Sequence, residues 1–136
     1  GTAYVYINYG IHWMLNVLAR DGIVLFRAVE PQTGTDTMAQ RRGVDRLQSL
    51  CSGPGKLGKA IGLSAADHGC SMLTAVRRLT ARRSDFDTSK IATDARIGIT
   101  RSADLPWRFL IRGNPHVSAP VRSPPKSRRT KRTKRG

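Results

Sequence analysis

The opening run Gly1-Thr-Ala-Tyr-Val-Tyr-Ile-Asn-Tyr-Gly-Ile-His-Trp-Met-Leu-Asn-Val-Leu18 leaves this chain few ways to begin. β-Branched and aromatic side chains suit the pleat of a strand, so Ala3–Tyr9 reads as one strand and Trp13–Leu18 as a second. Tyr9-Gly10-Ile11-His12 is then a hairpin tip, with Gly10 free to take a positive φ. Alternate strand residues share a face, which puts Tyr4 beside Tyr6 and leaves Tyr9, at the tip, outside the alternation. The hairpin holds all three tyrosines of the chain and one of its two tryptophans. In a chain of net charge +15, an aromatic hairpin suggests stacking on nucleic-acid bases.

The charge is not confined to one end. Of 24 Lys and Arg, eight fall in Arg122–Arg135, and the remaining 16 against 9 acidic residues leave the body at +7. Such an excess favours polyanions without choosing among DNA, RNA and an anionic membrane surface. Length fits one domain over residues 1–121, followed by a basic tail over 122–136 too low in complexity to build a core. Two cysteines, Cys51 and Cys70, and three dispersed histidines make neither a disulfide framework nor a zinc site, so no metal is expected and both thiols are read as reduced. No apolar run reaches transmembrane length and no signal-peptide pattern is present. The chain enters a strand at Gly1 with no lead-in, and an upstream segment is expected.

Beyond the hairpin, Asp21-Gly22 marks a turn. Ile23–Val29 reads as a strand apolar on both faces and therefore central. Arg27 stands in its middle, and a buried guanidinium must be paired or used. It either pairs with Glu30, the sole glutamate of the chain, or orients a carboxylate or phosphate in a pocket. Thr35-Asp36-Thr37 is expected to cap a helix running to Arg42 or a little beyond. Gly53-Pro-Gly-Lys-Leu-Gly-Lys59 approaches a phosphate-binding loop, but Ala60 replaces the hydroxyl that would hold magnesium and no buried strand precedes it. Nucleotide hydrolysis is rejected on those missing parts. A Gly-Pro turn into a short helix over 55–61 remains, with Lys56 a candidate for one backbone phosphate.

Ser64-Ala-Ala-Asp67 is patterned as a capping box with Asp in place of Glu. Ser71–Leu79 is a candidate strand, Ala81–Lys90 a polar loop, and Ala92–Thr100 a strand with a bulge or close approach at Gly98. Trp107–Arg112 is the last strand, with Trp107 expected in the core. These elements amount to a mixed α/β (α+β) single domain, largely antiparallel sheet with short helices.

In order along residues 1–118, Gly1-Thr-Ala-Tyr-Val-Tyr6, Tyr9-Gly10, Asn16-Val17, Leu25-Phe-Arg-Ala-Val-Glu-Pro31, Leu50-Cys-Ser-Gly-Pro-Gly-Lys-Leu57, Arg96-Ile-Gly-Ile99 and Trp107-Arg-Phe-Leu-Ile-Arg-Gly-Asn-Pro-His-Val-Ser118 resemble the alkyladenine (3-methyladenine) DNA glycosylase family. The resemblance implies excision of alkylated purines from double-stranded DNA by base flipping and hydrolysis of the N-glycosidic bond, with no cofactor, no metal and no Schiff-base lysine. It makes Tyr6 the aromatic that stacks on the flipped base. Tyr9 becomes the residue that enters the minor groove, and Asn16 the pocket residue that disfavours the exocyclic amine of guanine. Arg27 and the main-chain carbonyl of Ile97 become ligands of the attacking water, while Tyr4, His12 and Lys56 become contacts to the DNA backbone.

The family's general base is a glutamate upstream of the Gly-Thr-x-Tyr-Val-Tyr stretch, and Glu30 matches a different position. The expectation is thus an N-terminally truncated member with little or no activity of its own. It is expected to be a monomer of the bacterial cytoplasm, on the nucleoid, with no obligate protein partner. A non-enzymatic basic nucleic-acid-binding module is the alternative, since charge, aromatics and tail need no chemistry. A nucleotide-dependent enzyme on the 53–60 loop is a third, weaker class.

Overall fold

The computed structural model describes residues 1–80 and 87–121. The basic tail over 122–136 and most of the loop expected over 81–90 lie outside the described residues. The fold is mixed α/β, with two small antiparallel sheets and three short helices among the described residues.

Strands β1 (Ala3–Asn8), β2 (His12–Ala19) and β3 (Gly22–Leu25) form a meander in chain order. The register pairs Tyr4 with Asn16 and Tyr6 with Met14, then Asn16 with Leu25. Alternation sends Ala3, Val5, Leu15 and Val17 to one face, where they bury themselves with Leu63 and Met72. Helices α1 (Thr35–Arg42), α2 (Leu47–Leu50) and α3 (Pro54–Ala60) follow. Leu50, Cys51, Leu57 and Ala60 form a second buried cluster, and Phe26 and Ile61 pack against both clusters and so join them. Burying a leucine such as Leu50 contributes roughly 1.5–3 kcal/mol.

Helix α3 lies close against β2. A Cβ on Gly58 would stand 2.1 Å from the Trp13 carbonyl oxygen. The glycine spacing that imitates a phosphate-binding loop thus has a packing cause. The outer edge of β1 is closed by the 68–71 segment: the Ala3 amide donates to the Cys70 carbonyl, the Gly69 amide donates to that of Ala3, and the His68 ring lies on Val5. A second sheet pairs β4 (Ile91–Asp94) with β5 (Arg108–Ile111).

Several expectations are corrected. The strand expected over Ile23–Val29 stops at Leu25 and is an edge strand, with Ile23 56% exposed. Two tight hairpins in succession force the strand order to follow the chain, so the middle position goes to β2. Phe26 then leaves the sheet to bridge the two clusters. Ser71–Leu79 forms only a single bridge, from Ser71 to Thr2, before the chain turns. The strand expected over Ala92–Thr100 ends at Asp94. Helix α1 is capped by Gly34 with no side-chain bond, rather than by Thr35–Thr37.

Trp107 is not core: it is 61% exposed, with the Arg96 guanidinium 5.2 Å over its ring. Arg108 points inward in its place. The capping box at Ser64–Asp67 forms as expected, around a 3-10 turn over Ala65–Asp67. Cys51 is buried, Cys70 is exposed, and both are free.

Candidate functional site

The face of the meander opposite the core carries the aromatic residues. Tyr4 and Tyr6 stand side by side on β1, ring centroids 5.9 Å apart. Across the ladder on β2 are Met14 and Asn16, both buried. The Asn16 side-chain amide donates to the Tyr4 carbonyl at 3.1 Å, which fixes the orientation of a polar group only 6% exposed. His68 meets Tyr4 edge-on at 5.4 Å and completes a row of three rings.

Beyond this face the hairpin ends in a tight turn, with the Ile11 amide donating to the Asn8 carbonyl. Both Tyr9 (φ 52°) and Gly10 (φ 70°) are left-handed, as a type I′ turn requires. The conformation is natural for Gly10 and costs a bulky L-residue about 1 kcal/mol or more. Tyr9 accepts that strain while 84% exposed, so no burial offsets it. Strain held at an exposed aromatic tip marks a position shaped by use rather than by packing.

Arg27 lies just past the end of β3, half-buried, and its Nε is buried without a hydrogen-bond partner among the described residues. Burial pulls its pKa below the ordinary arginine value, the Arg108 charge pulls it further, and Tyr6 acts against both. The guanidinium stays protonated regardless. The ion pair with Glu30, one of the two readings of Arg27, does not form; Glu30 accepts from the Asn114 side chain at 3.0 Å instead. A half-buried cation with an orphaned donor is an incomplete arrangement, suited to an anion or an ordered water.

Arg108 is the opposite case. Only 5% exposed, it pairs with Asp94 and donates to the carbonyls of Ala95, Ala119 and Pro120. It ties β4, β5 and the 119–120 segment together and sets part of the field felt by Arg27.

The structure thus brings Tyr4, Tyr6 and Asn16 to one face and places Tyr9 at its tip. His12 packs against the start of α3, where a Cβ on Gly55 would stand 2.9 Å from its ring, and Lys56 is exposed on that same first turn. Ile97 lies in the bend after β4, and its carbonyl accepts no hydrogen bond among the described residues. Among the described residues, cavities elsewhere include one of about 540 Å³ beside the hairpin tip and α3 and one of about 430 Å³ along the core side of Ala3 and Leu15. Neither is lined by Tyr6 or Asn16. No group of three His, Cys, Asp or Glu side chains gathers among the described residues in a way that could hold a metal, and no helix among them is long and apolar enough to cross a membrane.

Sequence reasoning passed over Met14, His68 and Arg108. The register would have delivered Met14, since it faces Tyr6. No local signal pointed to His68, which arrives from a distant loop. Arg108 was hidden by the assumption that Trp107 must be the inward residue of β5.

The sequence model of the methylpurine-DNA glycosylase family matches residues 1–115. A protein of Rhodopseudomonas palustris strain HaA2, provisionally named a 3-methyladenine DNA glycosylase, is 44% identical over 90% of this chain and 61% of its own length. Proteins given the same provisional name in Chlorobaculum parvum and Agrobacterium fabrum are 41% and 44% identical over 99% and 87% of this chain, and over 66% and 60% of their own lengths. The chain therefore spans roughly six tenths of the length of these relatives.

Proposed function

The chain belongs to the methylpurine-DNA glycosylase family, and from that premise we propose that it recognises alkylated purines in double-stranded DNA and takes part in their excision. One observation carries the reading: a strained, exposed Tyr9 at the tip of a hairpin whose outer face presents Tyr4, Tyr6 and the pinned Asn16. Tyr9 enters the minor groove and fills the gap that an extruded nucleotide leaves. Extrusion costs a few kcal/mol of unstacking, which a wedge and a stacking partner offset. The electron-poor alkylated ring stacks on Tyr6. Asn16 cannot swing away, because its amide is held by the Tyr4 carbonyl, and it disfavours a base with an exocyclic amine at that position.

Arg27 is the residue that steadies the attacking water, and its orphaned Nε supports that role. The Ile97 carbonyl is the second ligand of that water, and Tyr4, His12 and Lys56 reach the DNA backbone. The protein acts as a monomer on the bacterial nucleoid, with the 1–121 domain as its working unit.

No general base is assigned among the described residues. Glu30, the one glutamate of the chain, is engaged by Asn114. Hydrolysis by these 136 residues is therefore slow, about 10²–10⁴-fold below a site with a placed base.

Binding is measured at fixed salt to duplex DNA holding an abasic-site analogue and to intact duplex. The reading expects preference for the analogue and its loss in Tyr9→Ala; equal affinity for both would point to a basic binder without a pocket. Release of methylated purine is followed in parallel. Brisk turnover by the 136-residue chain would overturn the reading that no general base stands among the described residues, and undiminished release in Arg27→Gln would remove Arg27 from the water site.

A further inference from the structure

The cavity of about 540 Å³ opens between the tip end of the hairpin and α3, and of its lining only His12 enters the reading above. Its lining includes His12, Arg41 and Lys59, with Ile11, Trp13 and Leu63 as its apolar residues, and contains no carboxylate. Arg41 donates from Nη1 to the Ala60 carbonyl at 3.1 Å, which orients the guanidinium and leaves most of its five donors for another partner. Lys59 is exposed at the end of α3. The contact between Gly58 and the Trp13 carbonyl fixes α3 on β2, so Lys59 keeps a set position relative to Tyr9.

The scale suits duplex DNA. The minor groove is about 7.5 Å deep. The register pairs Trp13 with Ile7, two residues behind Tyr9, which is about 7 Å at 3.3 Å per residue. With Tyr9 at the groove floor, Trp13 and the cleft beside it therefore stand at its rim, where the phosphates run. The rim has two sides. Tyr6 and Asn16 occupy one face of the sheet, which His12 shares by alternation, while Trp13 and Leu63 carry the rest of the cleft toward the other.

Resting on the proposed function, we infer that this cleft grips the phosphodiester backbone of the strand opposite the extruded nucleotide, through Arg41 and Lys59. The damaged strand is handled on the tyrosine face, its partner in the basic cleft. The wedge is thereby braced from both sides, and the cleft contributes affinity that does not depend on the lesion.

The test starts on intact duplex, with the 136-residue chain and its variants. Each cation engaged on a phosphate adds about 0.9 to the slope of log K against log salt. Lys59→Gln is expected to reduce that slope by about 0.9 and Arg41→Gln/Lys59→Gln by about 1.8, while Arg20→Gln, at the far end of β2, leaves it near the parent value. An unchanged slope in Lys59→Gln overturns the inference, as does an equal fall in Arg20→Gln, which would mean a diffuse field. Lys59 makes no described hydrogen bond, so its single variant keeps the test valid if the Arg41 variant folds poorly.

The second arm places uncharged methylphosphonate linkages near an abasic-site analogue, in one strand at a time. Non-additive loss with Lys59→Gln is expected only for the strand opposite the analogue; coupling to the damaged strand overturns the assignment. Absence of any abasic preference in the parent would count against the proposed function instead. The salt-slope result on intact duplex would still decide the cleft.

Discussion

Gly58 and the Trp13 carbonyl oxygen are so close that no side chain fits between them: a Cβ on Gly58 would lie 2.1 Å from the oxygen. This contact seats α3 on the central strand and ties the helix end that carries Lys59 to the hairpin that carries Tyr9.

Helix propensity and packing predict opposite signs for Gly58→Ala. Within a helix, alanine is better than glycine by about 1 kcal/mol. Here the obstacle is main chain, which cannot rotate aside, and overpacking costs about 1–3 kcal/mol or more. The expected result is a lower urea midpoint with weakened DNA binding. A raised midpoint would show that the helix and strand are not in contact.

Tyr9→Asn should separate stability from function. Asn tolerates the left-handed conformation, and Asn-Gly is the favoured pair in a type I′ turn, so thermal unfolding should show a gain of about 0.5–1 kcal/mol. The preference for an abasic analogue should vanish in the same variant. A variant both less stable and equally selective would contradict the strain argument and the wedge together.

The two neighbours at the start of β5 should behave in the reverse of what their side chains suggest. Arg108→Leu removes the guanidinium from Asp94 and from three carbonyls, and breaking a buried pair costs about 3–5 kcal/mol. Trp107→Ala loses an exposed ring and its contact with Arg96, worth about 1 kcal/mol or less. Equilibrium denaturation of both variants checks the order.

The capping box should leave a signature in acid. Burial acts to raise the Asp67 carboxyl, but the bond from Arg77, with those from the Ser64 amide and hydroxyl, outweighs it and holds the group below its ordinary value. A depressed carboxylate stabilises the fold fully above its unfolded pKa of about 3.9 and progressively less as pH falls through the lower folded value. Asp67→Asn should therefore be less stable than the parent at pH 7, by about 1 kcal/mol, with the gap closing below pH ~4. A gap that stays constant down to pH ~3 would mean that the carboxylate charge is not what counts.

By itself, the sequence determined the local chemistry. The β-branched and aromatic run specified a hairpin, Gly10 specified its turn, and alternation placed Tyr4 with Tyr6. Ser64 and Asp67 specified a capping box, and the ordered motifs specified the family. Each of these follows from neighbours a few residues apart, where periodicity and φ preference act directly.

Tertiary structure decided what depends on distant partners. Ile23 and Val24 look like a central strand, but a meander with tight turns leaves them at the edge. Trp107 looks like core, yet Asp94 and the 119–120 carbonyls draw Arg108 inward, because a buried guanidinium needs several acceptors and only long-range folding assembles them. Arg27 appeared to have a partner three residues away; the chain instead carries Glu30 to Asn114 and leaves the arginine's Nε without a partner among the described residues. The glycine spacing at 53–58 resembled a nucleotide loop until the Trp13 carbonyl supplied the cause of Gly58. Burial, pairing and close approach are properties of residues far apart in the chain, and no local window contains them.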